Sequence, residues 1–266
     1  MEFTISGIDV SQWQGDCDFQ AAYDSGQRFA YVKATEGREY LDPRFIENWT
    51  KLMELDGKMG RGAYMFARPD SIGGAADGAA EAEDFCEALK AVGGYDRGAG
   101  PPAIDYEKYS GKGVPANLQY IDACVKTIQD SLGRDPIIYT GDTIWDYQTA
   151  NSDLWVQLAL WLVDYREAAY PTAAMESLPW DTFAFWQWSG GGDFAYAEPV
   201  PGIGQCDTNW WGGDKLAFEA FFRMDTGLPR PPDPRRLVQI LRRAESYQVD
   251  ALCCIQAARK MLESVV

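Results

Sequence analysis

Ala103-Ile104-Asp105-Tyr106-Glu107 places two carboxylates at i and i+2 behind a short apolar lead. Pro101-Pro102 precedes it and the turn-rich Ser110-Gly111-Lys112-Gly113 follows. Read as a strand, the stretch turns Asp105 and Glu107 to one face, because alternate residues share a side. Their Cα atoms would lie roughly 6–7 Å apart at the rise of an extended chain. Two acids that close cannot both ionise cheaply where water is scarce, so one pKa rises and that group can serve as an acid. A strand end carrying two solvated acids is the alternative at this point.

Working outward, the same kind of apolar stretch recurs. Residues 5–10, Phe29 to Ala34, Gly60 to Phe66 and Pro136 to Thr140 read as strands. Between them, Asp18 to Gln27, Pro43 to Leu55, Ala75 to Val92 and Pro115 to Leu132 read as helices. Pro43 suits a first turn, and Gly57 and Gly93 suit positions beyond a last one. Strands alternating with helices of this length are the mark of βα units and a parallel sheet. The pattern then changes. Leu158 to Val163, Phe183 to Trp188 and Asp207 to Trp210 are strand-like, with a loop carrying Pro171 and Pro179 between the first two, and Lys215 to Arg223 reads as a short helix.

The expected fold class is therefore α/β, an irregular eight-stranded β/α barrel. About five βα units build it, and the closing strands lack regular crossover helices. Residues 1–227 would form this barrel. Leu228-Pro-Arg-Pro-Pro-Asp-Pro234 reads as a stiff linker, residues 228–234. Residues 235–266 carry apolar positions at helical spacing and form a small C-terminal helical segment. From Arg230 onward there are seven basic and four acidic residues, net +3, which leaves −19 on residues 1–229. The tail could bind anionic wall polymers or self-associate, or present a solvated basic face.

Composition narrows the chemistry. A chain of 266 residues with 46% apolar content suits one large domain and an appendage. Aromatics reach 14%, with ten Trp, more than a core needs and suited to stacking on sugar rings. There is no His, which removes Ser-His-Asp and Cys-His catalysis and the common zinc motifs. A net charge of −16 makes nucleic acid a poor partner. The six Cys show no CxxC pair or zinc spacing, which fits a reduced chain, and neither metal nor cofactor is expected. Cys206 beside Asp207 reads as core in preference to nucleophile, since no base is in reach. No signal peptide and no membrane-length apolar run are visible. The expectation is synthesis in the cytoplasm without membrane insertion.

Sites in β/α barrels lie at the C-terminal ends of the strands. Those ends bring Asp9, then Lys33 with Glu36, Tyr64, Asp105 with Glu107, Tyr139, Asp164 with Tyr165, Gln187 and Asp207. First and last strands are neighbours in a closed barrel, so Asp9 and Asp207 should meet. Lys33 is either a counter-ion to these acids or a substrate contact. Trp186 and Trp188 share one face and Gln187 takes the other.

At these residues the chain resembles glycoside hydrolase family 25, the lysozymes that cut peptidoglycan. The matching stretches are Gly7-Ile-Asp-Val-Ser-Gln-Trp-Gln-Gly15, Tyr31-Val-Lys-Ala-Thr-Glu-Gly37, Gly62-Ala-Tyr-Met-Phe-Ala-Arg68, Ala103 to Glu107, Ile138-Tyr-Thr140, Leu160-Trp-Leu-Val-Asp-Tyr165, Trp186-Gln-Trp-Ser189 and Asp207-Thr-Asn209. They run in the family's order over about residues 5–222. The resemblance implies an irregular β/α barrel and N-acetylmuramidase activity on the β-1,4 bond between N-acetylmuramic acid and N-acetylglucosamine. It implies Glu107 as general acid/base, Asp105 as assisting the neighbouring carbon centre, and Asp9 and Asp207 as the catalytic acids that complete the floor. Tyr64, Tyr139 and Gln187 would line the sugar sites, with Lys33, Trp13, Glu36 and Tyr165 as further substrate contacts. The partner would be bacterial peptidoglycan. The setting that fits is a phage or prophage endolysin that reaches the cell wall when the membrane is breached. The family often carries His where this chain has Met65, which by alternation faces away from Tyr64 and so signals a packing change. A chitinase-like glycosidase is a rival, although the longer acidic run of those enzymes would need Asp at Ala103. A non-catalytic wall-binding or phage structural protein is the rival of another class.

Overall fold

Gly60 to Phe66 alternates glycine or aromatic residues (Gly60, Gly62, Tyr64, Phe66) with Arg61, Ala63 and Met65, and the barrel is built on that alternation. A computed structural model describes residues 3–55, 57–93, 98–166, 170–191 and 194–224. Its strands are β1 (Ser6–Val10), β2 (Gln27–Glu36), β3 (Gly60–Phe66), β4 (Ala103–Asp105), β5 (Ile137–Thr140), β6 (Leu160–Val163), β7 (Phe185–Ser189) and β8 (Asp207–Trp211). They close in chain order into a barrel. Helices α1 (Phe19–Asp24), α2 (Phe45–Glu54), α3 (Ala75–Ala91), α4 (Val114–Leu132), α5 (Asp142–Thr149) and α6 (Thr172–Ser177) each connect consecutive strands from β1 to β7. Helix α7 (Lys215–Phe221) follows the last strand.

The expected barrel is present, with two refinements. The strand reading left 142–149 and 172–177 without structure, yet both form short helices. Only Trp145, Gln148 and Thr149 of α5 and Ala174 and Met175 of α6 are buried, too few to print a helical stripe on the sequence. The second refinement is direction. Strand β8 runs antiparallel to both β7 and β1. Asp207 therefore opens β8 and still reaches the rim where the other strands end. The linker 228–234 and the helical segment 235–266 lie outside the described residues.

Two apolar layers separate inside from outside. Ile8, Val10, Val32, Met65, Ile104, Ile138, Leu162 and Trp186 face outward into the layer under the helices. Phe29, Tyr31, Ala103, Ile137, Tyr139, Trp161 and Phe185 face the axis. Phe218 and Phe222 pack into that inner cluster, with their rings 6.0 and 5.8 Å from Phe29. Phe222 lies against Gly60 and Gly100, before the polar ends of β3 and β4. One end of the barrel is thus plugged with aromatics, and the polar side chains are left to the other. Met65 is fully buried in the outer layer, away from Tyr64, which packs with the inner one.

Glycine permits this interior. A Cβ on Gly62 would stand 2.1 Å from the Tyr31 ring. Outside, Gly133 ends α4 with φ 64, the left-handed turn that L side chains resist. Among the described residues no helix is long and apolar enough to cross a membrane. Cys17, Cys86, Cys124 and Cys206 are free and buried.

Candidate active site

The open end of the barrel holds a cavity of about 230 Å³. Asp9, Asp105, Glu107 and Asp207 all line it, brought in by the ends of β1 and β4, the residue stretch after β4, and the start of β8. Tyr64, Tyr139, Tyr165, Gln187, Lys33 and Trp13 line it too. Asp9 and Asp207 are register partners across the β1–β8 seam.

The Asp105–Glu107 stretch differs from a plain strand. Strand β4 stops at Asp105, and Tyr106 bonds onward from its N–H to the Tyr139 carbonyl at 2.9 Å. Asp105 is buried, while Glu107 is exposed at the mouth. Both still meet the same cavity, one at its floor and one at its lip.

A hydrogen-bond chain holds the floor. Asp9 Oδ2 accepts from Gln187 Nε2 at 2.9 Å and from Asn209 Nδ2 at 2.8 Å. Trp161 Nε1 donates to Asn209 Oδ1 at 2.7 Å. The hydroxyls of Tyr139 and Tyr165 donate to Gln187 Oε1 at 2.8 and 2.9 Å. Tyr139 also reaches Glu107 Oε2, at 3.5 Å. Gln187 thus bonds through both ends of its amide, and that orientation is fixed by its neighbours. Asp105 Oδ1, by contrast, is buried with no protein partner. An acid oxygen left unpaired in a cavity is a place for a substrate donor.

Burial is the first cause of every carboxylate shift here. It raises the pKa of Asp105 well above the usual range, helped by the charges of Glu107 and Asp9. It raises Glu107, with the Asp9 charge next. Although the surface of Glu107 is open, the cleft walls on its other sides still take water from the carboxyl, so the direction stands. Asp207 is pushed up to about 8 by burial and by Asp9. Asp9 is raised by burial against the pull of its Asn209 and Gln187 bonds. Lys33 draws Asp105 and Glu107 the other way.

Lys33 is itself held. Its ammonium donates to Glu36 Oε2 at 2.5 Å and lies 4.7 Å over the Phe66 ring. Glu36 accepts from Arg68 Nη1 at 2.9 Å on its other oxygen. Glu36 is not among the residues that line the cavity and stands behind Lys33. Two neighbouring cations capture its carboxylate. Trp186 and Trp188 are on the outer face, with Trp188 stacked 6.3 Å from Trp210, and Gln187 alone of the three faces in. Cys206 is buried, and burial drives its thiol pKa upward, so it is no nucleophile.

Ser11, Phe66, Trp161 and Asn209 belong to the site but escaped the strand-end reading. Asn209 shares a face with Asp207 by alternation, a signal that was available. A larger cavity, about 400 Å³, lies outside the barrel between α1 and α2. Its Lys51 is already paired with Asp16 and Glu47, and the cavity lies away from the strand ends that carry Asp9, Asp105, Glu107 and Asp207. Among the described residues no three His, Cys, Asp or Glu side chains gather to hold a metal ion.

The sequence model described as glycosyl hydrolases family 25 matches residues 8–196. An N,O-diacetylmuramidase of Chalaropsis is 30% identical over 203 residues, 73% of this chain and 90% of its own length. The crystal structure of a bacterial lysozyme from Streptomyces coelicolor superposes with a TM-score of 0.68 at 28% identity, over 82% of this chain and 96% of that one. A muramidase structure from Acremonium alcalophilum gives 0.65 at 29% identity, over 82% and 98%.

Proposed function

The chain belongs to family 25 of the glycosyl hydrolases and is a glycoside hydrolase, and on that premise we propose that it is a muramidase of bacterial peptidoglycan. The bond cut is the β-1,4 link from N-acetylmuramic acid to N-acetylglucosamine. The observation that carries the mechanism is the unpaired Asp105 oxygen beside a Glu107 of raised pKa.

Glu107 in its acid form gives its proton to the bridging oxygen as that oxygen leaves the anomeric carbon. The carbonyl oxygen of the sugar's own 2-acetamido group closes onto the same carbon. Asp105, as the carboxylate, receives the acetamido N–H at its free oxygen. Water then attacks the anomeric carbon, losing a proton to Glu107, and the acetamido carbonyl is released. The first product keeps the β configuration. The Asp9 charge favours the acid form of Glu107, and Asp207 completes the acidic floor. Glycosidases commonly use such paired carboxyls around an oxocarbenium-like transition state.

Mass spectrometry of a peptidoglycan digest tests the bond: reducing-end muramic acid is expected, and reducing-end glucosamine would exclude a muramidase. Proton NMR of the first product tests the route, since an α anomer would rule out acetamido attack. The finer setting is an endolysin. Expression with a membrane-permeabilising agent should then lyse host cells that survive either alone.

A further inference from the structure

Tyr109 and Tyr147 are exposed over 48% and 67% of their surface, yet their rings pack with centroids 4.9 Å apart. Neither belongs to the apolar layers of the barrel. Tyr109 lies two residues past Glu107, so its Cα is within about 7 Å of that of Glu107. The backbone on both sides of Tyr109 is anchored. Gln148, buried at 1% exposure, accepts the Ser110 N–H at 2.6 Å and donates to the Lys108 carbonyl at 3.0 Å. Asn117 Nδ2 then holds the Gln148 carbonyl at 2.9 Å. Two buried amides thus fix a loop whose tip is an exposed ring. Holding the ring in place in advance removes part of the ordering cost that a ligand would otherwise have to offset.

The strand order says where this ring pair stands. In a closed barrel of eight, β1 lies across the axis from β4 and β5. Trp13 follows β1 and is 83% exposed at the cavity lip. Tyr109 and Tyr147 follow β4 and β5. By strand order, Trp13 and the Tyr109–Tyr147 pair fall on opposite sides of the barrel axis, the tyrosines beyond the lining of the acid-bearing cavity itself.

We propose that the Tyr109–Tyr147 pair is a distal sugar subsite, which stacks on a pyranose ring of the same glycan strand beyond the two rings that flank the cut bond. This rests on the glycan-hydrolase reading above. It extends the grip of the cleft past Glu107, so that long strands are held better than short ones. Stacking uses the apolar C–H face of the sugar, so the rings matter and the hydroxyls do not.

The test is hydrolysis of soluble, uncrosslinked wall glycan of two lengths, tetrasaccharide and octasaccharide. Tyr109→Ala/Tyr147→Ala should lower the octasaccharide-to-tetrasaccharide ratio of kcat/KM about ten-fold, the worth of roughly one stacked ring. Tyr109→Phe/Tyr147→Phe should keep the wild-type ratio. The single Tyr147→Ala, on the exposed face of α5, gives the same readout should the double alanine variant misfold. An unchanged ratio in the alanine variants overturns the subsite and leaves the glycosidase reading standing. Wild-type protein that cuts neither length overturns both.

Discussion

Asp9 and Asp207 are register partners on the antiparallel seam where β8 closes the barrel against β1. The seam sets the buried Asp9 beside the half-buried Asp207, and Asp207 answers by keeping its proton up to about pH 8. Unfolded, the same group would lose it near the ordinary 3.8. Between these values the native state binds the extra proton, so stability falls as pH rises. Asp207→Asn should therefore leave the melting temperature unchanged at pH 4 and raise it at pH 8. A gain of 1 kcal/mol would appear as roughly 2–4 °C in a domain of this size. Equal shifts at both pH values in a thermal scan would contradict the assignment.

Glu107 carries the proton that the reaction spends. Glu107→Gln keeps the shape and removes the proton, and should lower kcat by about 10²- to 10⁴-fold. Substrate binding, measured by calorimetry on a soluble glycan fragment, should stay near wild type. Turnover within a few-fold of wild type would move the acid role elsewhere.

Gln187 is the hub of the floor. Its amide serves Asp9 on one side and two tyrosine hydroxyls on the other. Gln187→Leu removes all three bonds at nearly constant volume and leaves buried polar atoms unpaired. The loss should be about 1–3 kcal/mol by urea unfolding, with kcat reduced as well. Unchanged stability would mean that water replaces the amide without cost.

Much of this site could be read from the chain because strand ends concentrate chemistry at one rim. Asp9, Asp105, Glu107 and Asp207 were found that way and do line one cavity. Trp161 and Asn209 were not, because they face the barrel axis deeper in, where polar contacts depend on register between strands far apart in sequence. The pairing of Glu36 was hidden for a related reason. It ends β2 like a site residue, but only the fold brings Arg68 to its free oxygen. The short helices α5 and α6 escaped because tertiary packing, not an amphipathic stripe, holds them.

Gly62 tests the inner layer. A methyl there would enter the Tyr31 ring, which also packs 4.8 Å from Trp161 beneath the acids. Gly62→Ala should cost at least about 1–3 kcal/mol, since the ring is fully buried and has little room to turn. Gly15→Ala, with open space but φ 67, should cost less and act through backbone strain alone. Chemical denaturation of the pair ranks them, and the reverse order would place Tyr31 elsewhere.

Lys33, Glu36 and Arg68 form a line of alternating charge that ends in the cavity. Burial alone would raise the Glu36 pKa, but the bonds and charges of Lys33 and Arg68 together hold it below the ordinary value. Glu36 therefore stays ionised and keeps the Lys33 ammonium in place at neutral pH. Lys33 in turn lowers the pKa of Glu107. Lys33→Met removes that pull, so the acid form of Glu107 should survive to higher pH. The alkaline limb of the kcat/KM profile should then move to higher pH by a few tenths to one pH unit, the size of shift a partly screened charge gives. Glu36→Gln frees Lys33 to approach Glu107 and should move the same limb to lower pH. Two shifts of the same sign would break the line between Glu36 and Lys33.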